Sequence, residues 1–530
     1  MKTHISQSSR PSWKALVALT LTLAVCNIYG QSAKTTSKGP TSPGGAPDQV
    51  SAVDNWSAGP NLLTALVRAV GVYFPMNGLF YAIGGRSADT AGSDSTHPLE
   101  YNPGTSTWTA KPSLFPDNQM NNMACAVLTV GGTPQIYCVG GSAAGAAVAT
   151  ARVFSYNPVA DTMAVLPAAD NWPGDAAGTI LPGGFAVVAN KLYIVGGFNI
   201  NVGMTQQTWE FDPTAASGSR WVQKFDYPVQ RGYIPMAAIG GLIYTAGGPS
   251  WNGTTLVDSG DCYKFDPVGN TWSAITTIPR VTGETRALVV DNQMWVLGGG
   301  RTAPNPATEV DIYNPVCGTW SRGTDFVTPR RNFPADTDGN SRVWLGGGYT
   351  TDGLTPQNTM EIFALPAALS AVSRKLHNGV PFDVNLPLTG PVGVECRNSG
   401  GTHTIIVTFA TSVTVGGATV TCGTGSATAS ASGSQVTITL TGVTNAQKIT
   451  VTLNSVNDGT NSGDVPVSMG VLLGDSNGNG VVNASDVTLV KSQLGGTISA
   501  ANFREDINLS GTFTASDTSI VKGNLGTALP

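Results

Sequence analysis

The sequence predicts an all-β fold in which a six-bladed β-propeller precedes a small β-sandwich and a short α-helical segment. Three observations carry this prediction: a repeat of about 50 residues marked by glycine pairs, a later stretch of strictly alternating residues, and a duplicated loop near the end of the chain. The composition agrees, because 65 glycines and only 12% charged residues in a chain of 530 suit short strands and tight turns. A chain of this length exceeds a single core, so several domains are expected.

The charge and the N-terminal residues limit the classes of partner and location. A net charge of -5 provides no basic surface for nucleic acid, which we exclude as a partner. Basic residues precede the apolar run Ala15 to Val25, which predicts a secretory signal over residues 1–30 and a secreted, extracellular protein. A lipid anchor at Cys26 is the less favoured alternative. No later run is long enough to predict a membrane-spanning segment.

The residues after this leader contain almost nothing apolar to bury. Residues 31–49 read "QSAKTTSKGPTSPGGAPDQ", which is typical of a flexible linker.

Glycine pairs then end six short apolar runs at spacings of 56, 56, 51, 51 and 48 residues. The first glycines of these pairs are Gly84, Gly140, Gly196, Gly247, Gly298 and Gly346. An aromatic residue follows each of them 15 to 18 positions later, and these residues are Tyr101, Tyr156, Phe211, Phe265, Tyr313 and Phe363. A tryptophan follows four of the aromatics, whereas Met163 takes that place after Tyr156. Short strands at this period, with glycine permitting close approach and aromatics filling the space between units, are typical of propeller blades.

In this order of Gly-Gly, Tyr or Phe, and Trp, the six units resemble the Kelch repeat family, whose propellers belong to the galactose oxidase-like central domain superfamily. The resemblance implies a six-bladed propeller over residues 50–366. The sixth unit lacks a tryptophan after Phe363, whereas "DNWSAGP" at Asp54 to Pro60 has the pattern of a last strand. We therefore predict that the N-terminal strand completes the sixth blade, and that trimming it destabilises the whole ring.

Enzymes among Kelch propellers suggest where chemistry would occur. The copper site of galactose oxidase needs two histidines, whereas residues 50–365 hold only His97, so that site is absent. Sialic acid mutarotases use charged residues at the mouth of the central channel. Side chains before the predicted inner strands fit that location, and they are Arg68, Arg231, Glu284, Arg286, Arg330 and Arg331. Glu284, Arg286 and Arg331 are the candidate catalytic residues, and the alternative is that the arginines pair with carboxylates between blades.

His97, His377 and His403 lack ligand companions, so surface or turn positions are expected.

Six cysteines follow the leader in a compartment that permits disulfides. Cys125 and Cys138 flank a predicted turn at Gly131 to Pro134 with nearly equal arms, which favours a cross-strand bridge. The further candidates are Cys396 with Cys422, and Cys262 with Cys317, and the sequence leaves their pairing open.

Residues 373–472 change to strict alternation without aromatics, as in "HTIIVTF" and "SQVTITL". This pattern predicts a small, Ig-like β-sandwich.

The duplicated loop occupies the last segment, residues 473–530. In "GDSNGNGVVNASD", oxygen-bearing side chains fall at positions 1, 3, 5, 9 and 12 of a calcium loop, with glycine at position 6. The pattern recurs 31 residues later. The predicted ligands are Asp475, Asn477, Asn479, Asn483 and Asp486 in the first loop and Asp506, Asn508, Ser510, Thr514 and Asp517 in the second. Ser476 lies in a G-x-S-x-G pattern but lacks the strand and helix of a hydrolase nucleophile, so we interpret it as part of the first loop.

Each loop runs into a short amphipathic stretch, and the paired arrangement resembles a type I dockerin module. The resemblance implies two calcium sites as cofactors and a cohesin-like protein as partner. With two carboxylates in each loop, dissociation constants on the order of 10⁻⁴ to 10⁻³ M are expected.

Two functional hypotheses follow. The first is a secreted binding or scaffold protein, whose propeller face binds a glycan or a protein and whose tail attaches to a partner. The second is a carbohydrate-active enzyme of epimerase, lyase or hydrolase type that acts in extracellular polysaccharide metabolism. We prefer the first, because no catalytic constellation is evident in the sequence.

Overall fold

The structure is a computed structural model that describes residues 55–398 and 400–530. Strands dominate it, as the all-β prediction requires, and the two α-helices of the described residues lie near the end of the chain. The predicted signal and linker fall outside the described residues. Within the residues described, no helix has the length and apolar character needed to cross a membrane.

Six four-stranded antiparallel sheets form the blades of a propeller. Blades one to three contain, in order, β2(Val70–Phe74), β3(Leu79–Ile83), β4(Leu99–Asn102), β5(Thr107–Ala110), β6(Ala124–Val130), β7(Thr133–Val139), β8(Val153–Asn157), β9(Thr162–Val165), β10(Ile180–Val188), β11(Lys191–Asn199), β12(Gly203–Phe211) and β13(Trp221–Lys224). Blades four to six contain β14(Met236–Ile239), β15(Leu242–Ala246), β18(Cys262–Asp266), β19(Thr271–Ile275), β20(Ala287–Val290), β21(Gln293–Gly299), β22(Ala307–Asn314), β23(Thr319–Arg322), β24(Ala335–Thr337), β25(Arg342–Gly346), β26(Met360–Ala364) and β1(Trp56–Gly59). An extra hairpin, β16(Ser250–Trp251) and β17(Leu256–Val257), is inserted in blade four.

The first strand of each blade from one to six lies beside its counterparts in the neighbouring blades, so these six strands surround a central channel. Glycine permits their close approach where β2 meets β24, because a Cβ at Gly71 would lie 2.4 Å from the amide nitrogen of Ala335. The glycine pairs recur in every unit of the repeat for a similar reason. Gly84 has a φ of 70°, and a Cβ there would lie 2.3 Å from the carbonyl oxygen of Met120 in the next blade. The pairs are therefore packing positions between blades.

The aromatic residues of the repeat form cross-strand pairs at the outer edge of the blades. Phe265 lies opposite Trp272 with ring centroids 4.8 Å apart, and Tyr313 lies opposite Trp320 at 5.1 Å. Each tryptophan also donates its indole N–H to a main-chain carbonyl of the preceding blade. The five bonds are Trp108 to Pro60, Trp221 to Asp170, Trp272 to Phe225, Trp320 to Thr276 and Trp56 to Thr324, at 2.8 to 3.1 Å.

The N-terminal strand β1 closes the ring as the outer strand of blade six. Trp56 lies opposite Phe363, with ring centroids 5.2 Å apart, and so occupies the place of the tryptophan that the sixth unit lacks. It also packs on Phe326 of the fifth blade. The chain thus joins its first described strand to its last blade through the same contact that the other blades use.

The second domain is a sandwich of two sheets. One sheet has the order β28(Val380–Asn385), β27(Ala368–His377), β30(His403–Phe409), β33(Gln435–Thr441), β32(Ser426–Ser432), and the other has β29(Val394–Glu395), β35(Ser462–Val471), β34(Gln447–Asn457), β31(Gly417–Cys422). Alternate residues of these strands form one buried aliphatic core, as the alternating pattern predicts. Its first strand begins at Ala368, five residues before the predicted boundary.

Disulfides follow the predicted pattern only in part. Cys125 and Cys138 are paired directly across β6 and β7 and form a disulfide. Cys422, however, is bonded to Cys317 in the turn between β22 and β23, while Cys262 and Cys396 are buried thiols. The bond between Cys317 and Cys422 therefore excludes both pairings that the sequence left open, which were Cys396 with Cys422 and Cys262 with Cys317. Its partners are 105 residues apart and are brought together only by the packing of the sandwich on the propeller.

The last segment contains helices α1(Ala484–Ser492) and α2(Ala515–Gly523) and a short 3₁₀ turn, Phe503–Glu505. Its apolar core is shared with the sandwich, because Val490 and Val521 of the helices pack in one cluster with Val394 and Cys396. The two amphipathic stretches are less buried than their pattern predicts. Leu494 and Leu525, the last apolar residues of these stretches, lie beyond the ends of α1 and α2 and are about half exposed.

We predict that Trp56→Ala lowers the free energy of unfolding by about 3–5 kcal/mol, because it removes a buried aromatic contact and the hydrogen bond that closes the ring. Chemical unfolding followed by tryptophan fluorescence and circular dichroism measures this loss. Val268→Ala, at a turn residue that is 97% exposed, is the matched control and should change little. A Trp56→Ala protein as stable as the wild type would show that β1 does not close the ring.

Candidate functional site

One end of the central channel opens into a cavity of about 350 Å³. The mouth, as we call this opening, includes two kinds of position: a residue two or three positions before the first strand of a blade, and the residue that follows the glycines of the repeat. The first kind comprises Arg68, Asn122, Tyr233 and Glu284, and the second comprises Arg86, Ser142, Phe198 and Arg301. The repeat therefore delivers two of these side chains from each of blades one, two and five, and one from each of blades three and four.

The residues before the first strands also hold the channel together through their main chains. The amide of Asn122 donates to Arg68, that of Arg68 to Asn332, that of Asn332 to Glu284 and that of Glu284 to Tyr233, at 2.7 to 3.2 Å. All five have a positive φ, between 48° and 62°. Non-glycine residues in this region cost about 1–3 kcal/mol each and concentrate at functional sites. This chain of four hydrogen bonds holds the five residues in that conformation and so directs their side chains.

Glu284 is the buried acid of the mouth. Its carboxylate accepts from Arg301 Nε at 2.9 Å and from Arg331 at 2.5 Å, and its side chain is fully buried. Burial alone would raise the pKa of Glu284, but the charges of Arg331, Arg301 and Arg68 outweigh it and lower the pKa below its ordinary value. Glu284 is thus an anchored anion that holds the arginines, and it is poorly suited to donate or accept a proton.

Tyr349 organises the opposite side of the mouth. Arg68 donates to its hydroxyl at 3.2 Å, and Arg331 lies over its ring at 4.4 Å from the centroid. The hydroxyl donates in turn to Asp89, which also pairs with Arg86. Among the described side chains of this cluster, four arginines face two carboxylates, so the mouth carries an excess of positive charge.

Aromatic and hydroxyl groups complete the cavity. Phe198 contacts both Tyr233 and Trp251, with ring centroids 5.8 and 5.7 Å apart. Trp251 belongs to the extra hairpin of blade four, whose turn contributes Thr254 and Thr255 to the lining. The mouth can therefore hold a compact anionic ligand between guanidinium groups, a ring face and hydrogen-bonding side chains.

Of the three candidate catalytic residues, Glu284 is near both others: it pairs with Arg331 and lines one cavity with Arg286. Glu284 and Arg331 meet at the mouth, whereas Arg286 lies deeper in the channel and stacks on Phe185 at 4.1 Å from the ring centroid. Its charge faces Asp336, whose pKa burial raises to about 6. Arg286 thus occupies a smaller cavity that Glu284 also lines, and the carboxylate that faces its charge is Asp336 rather than Glu284.

The other predicted arginines are structural. Arg330 is fully buried and binds Glu361 at 2.6 Å, and Arg231 binds Asp261 at 2.7 Å. Each arginine precedes the first strand of a blade and its carboxylate lies in that same blade, whereas the alternative interpretation expected pairs between blades. Sequence reasoning missed Arg86, Arg301 and Tyr349, although each directly follows a glycine pair, and that position was the available signal.

The duplicated loops near the C-terminus form the second candidate site. In the first loop, Asp475 accepts from the amides of Gly478, Asn479 and Gly480, and Asp486 accepts from those of Asn477 and Asn483. Burial raises the pKa of Asp475, and the nearby charge of Asp486 adds to the effect. Asp506 and Asp517 take the same places in the second loop, and both are fully buried.

The donors at these loops fit a hard cation. Two buried carboxylates approach each other in an environment of amide and hydroxyl oxygens, and Gly480 and Gly511 adopt a positive φ at the sharp turn of position 6. Asn477, Asn479, Asn508 and Ser510 lie at the exposed rim of the loops. Within the described residues no group of three or more His, Cys, Asp or Glu side chains is assembled, because each loop supplies only two carboxylates.

Position 9 has an additional role that the spacing did not predict. Asn483 caps α1 by accepting from the amide of Ser485, and Thr514 caps α2 by accepting from that of Ser516. In both helices the aspartate at position 12 completes a capping box. The loop and the helix start are therefore one unit. Ser476 is buried beside Asp486, as expected of a loop residue.

The histidines differ from their expected surface positions. His377 and His403 are both buried, each only 2% exposed. His377 lies at the end of β27 and contacts Asp506, the first residue of the second loop, at 2.8 Å. Both histidines fall on the side of their strand whose alternate residues are buried, and the sequence did not indicate that this side would be covered there.

Comparisons with known proteins agree with this architecture. Residues 122–347 match the sequence model of the KLHDC2/KLHL20/DRC7 Kelch-repeats domain, and residues 473–526 match that of the dockerin type I domain. The Kelch-like protein terF of Aspergillus terreus is 27% identical over 42% of this chain and 48% of its own length. Beta-scruin of Limulus polyphemus is 24% identical over 48% of this chain and 27% of its own length. The chain thus spans about half or less of the length of these relatives.

A solved structure titled "Structure of YjhT" aligns with 57% of this chain and 95% of its own, at 16% identity and a TM-score of 0.44. The matches confirm both predicted resemblances: residues 122–347 are similar to Kelch-repeat domains, and residues 473–526 are similar to type I dockerin domains.

Proposed function

We propose that this chain is a secreted binding protein, whose propeller mouth holds a carboxylate-bearing glycan and whose calcium-loaded tail attaches it to a cohesin-type partner. The observation that carries the first half is the excess of positive charge at the mouth. A guanidinium group recognises a carboxylate with two parallel hydrogen bonds, and such charge-assisted bonds are strong where water is partly excluded. Arg68 and Arg301 are the groups best placed to receive a ligand, because both line the cavity and remain partly exposed.

The lining favours a sugar over other acids. Asn122, Asn201, Thr254 and Thr255 can bond hydroxyl groups, while Trp251 offers an aromatic face to a ring. A cavity of about 350 Å³ lies within the usual range for small-ligand sites of roughly 300–1,000 Å³. Binding is preferred over catalysis, since the carboxylate of Glu284 is held ionised by its arginine partners.

The tail supports attachment. Dockerin segments imply a cohesin partner, and in this chain the sides of α1 and α2 that face away from the sandwich expose Leu489, Lys491 and Lys522. Calcium would be held by Asp475 and Asp486 in the first loop and by Asp506 and Asp517 in the second, with amide, hydroxyl and main-chain oxygens around them. When bound, it supplies the positive charge that the paired carboxylates lack.

We predict that oligogalacturonate binds the full chain and that its methyl ester, which has the same ring without the charge, does not. Arg68→Gln and Arg301→Gln should each weaken binding about 10- to 100-fold, because a hydrogen bond to a charged group contributes about 1.5–3 kcal/mol. Calorimetric titration measures the affinity. Arg322→Gln, at an exposed arginine outside the mouth, is the control.

Equal binding of the ester would contradict the carboxylate assignment, and loss of affinity in the control would indicate non-specific attraction. Analysis of the sugar after incubation separates the functions: an altered sugar would favour the carbohydrate-active enzyme. An acidic peptide that competes for the mouth while all sugars fail would favour a protein ligand.

We also predict that Asp475→Ala with Asp486→Ala abolishes calcium binding by the first loop and leaves that of the second. The expected dissociation constants are on the order of 10⁻⁴ to 10⁻³ M. Thermal unfolding with and without calcium, together with calorimetry, measures both. Asp325→Ala, at an exposed carboxylate of the propeller, serves as the control. An unchanged calcium titration in the double variant would refute the assignment of the loop.

A further inference from the structure

The two calcium loops are alike in sequence but have different surroundings. The carboxylate of Asp506 accepts from His377 Nδ1 at 2.8 Å, and both side chains are fully buried. Asp475, its counterpart, accepts from amides of its own loop, and the neighbouring Arg504 donates to main-chain oxygens, those of Asp475, Ser476 and Val394, rather than to the carboxylate. His377 of the sandwich therefore contacts Asp506, a predicted ligand of the second loop. At the first loop, the described hydrogen bonds to the Asp475 carboxylate come from the loop itself.

The direction of the hydrogen bond between His377 and Asp506 follows from its neighbours. Arg397 lies 3.0 Å from His377 Nε2, and because a guanidinium group carries only donors, Nε2 must accept. The imidazole proton is then on Nδ1 and is donated to Asp506. Arg397 is fixed in turn by Glu395 at 2.8 Å, and Glu395 accepts from Ser373 at 2.5 Å. A buried chain of polar contacts thus runs from the sandwich to the loop.

Main-chain bonds hold the residues of the loop that follow this contact. The amide of Asn398 donates to the carbonyl of Ile507 at 2.7 Å, and that of Asn378 donates to Leu509 at 3.1 Å. Phe503, just before the loop, stacks on Phe382 of the sandwich with a centroid distance of 5.4 Å and an angle of 9°. Positions 2 and 4 of the loop are therefore attached to the sandwich, and position 1 lies beside them.

We infer that the β-sandwich is part of the second calcium site: His377 is a positioning residue for Asp506, so that calcium binding in this loop and docking of the tail on the sandwich are one linked equilibrium. The inference rests on the proposed role of calcium. Partners that orient a metal ligand typically contribute 10- to 100-fold in metal affinity. A cation that binds only the docked loop must also stabilise docking by mass action.

The test isolates each loop in the full chain. Asp475→Ala with Asp486→Ala leaves the second loop, and Asp506→Ala with Asp517→Ala leaves the first. Three substitutions are then introduced into both backgrounds. His377→Leu removes the donor, His377→Asn keeps an amide N–H near the place of Nδ1, and Arg374→Gln alters a partly exposed residue on the same strand, paired with Asp383 rather than with the tail.

We expect His377→Leu to weaken calcium binding by the second loop about 10- to 100-fold and to leave the first loop unchanged. His377→Asn should recover most of the loss, and Arg374→Gln should have no effect. Calorimetry measures the affinities, and circular dichroism verifies that each variant is folded. Equal affinities for folded His377→Leu and wild type, or equal losses in both loops, would overturn the inference.

Hydrogen exchange provides a readout that does not depend on a variant. Calcium should slow exchange in the sandwich peptides that contain Asn378 and Asn398, in the wild type and when only the second loop remains. It should not do so when only the first loop remains. Protection of the loop without protection of these peptides would overturn the linkage. A wild type that binds no calcium would instead refute the proposed function of the tail.

Discussion

The architecture depends on the contact by which each blade is held to the one before it. In five of the six blades this contact is an indole N–H that donates to a carbonyl just beyond the last strand of the preceding blade. The bond orients a large apolar surface, so that the ring of the tryptophan packs on the aromatic residue opposite it. The same geometry occurs where β1 closes the ring, because Trp56 donates to the carbonyl of Thr324 there. The closing contact is therefore of the same kind as the contacts between consecutive blades. Blade two, with Met163, is held to blade one by apolar packing and by the amide of Ser113, which donates to Asp161.

Closure of this ring explains how charged side chains can be buried at the mouth of the channel. Arg331 and Glu284 are almost completely buried and would be costly alone, but the channel fixes them at hydrogen-bond distance and adds Arg301 and Arg68 around them. The left-handed main chain at Glu284 and Arg68 is maintained by hydrogen bonds between blades. A ligand anion would therefore meet groups whose orientation is already established by folding, which reduces the entropy cost of binding.

The repeat could be predicted from the sequence because the same residue types recur at a regular spacing. Glycine pairs and aromatic residues recur at the same places in six units, so the number of blades and the closing role of Trp56 could be predicted. The mouth could be predicted only by position, since Arg86 and Tyr349 gain their importance from neighbours more than 250 residues away in the chain. The bond between Cys317 and Cys422 and the burial of His377 were inaccessible for the same reason: they are created by contacts between domains, and such contacts leave no local spacing.

Those contacts between domains also connect the two proposed sites. The disulfide of Cys317 fixes the fifth blade to β31, and β31, β34, β35 and β29 are neighbours in one sheet of the sandwich. The chain that leaves β29 provides Cys396 and Arg397, which contact the tail directly or through His377. A continuous path of covalent and hydrogen bonds therefore runs from the propeller to the second loop. A tail held in this way transmits its attachment to the propeller as a fixed orientation, which a flexible linker between the domains could not do. The sandwich is thus best understood as the element that sets the direction in which the mouth faces once the tail is attached.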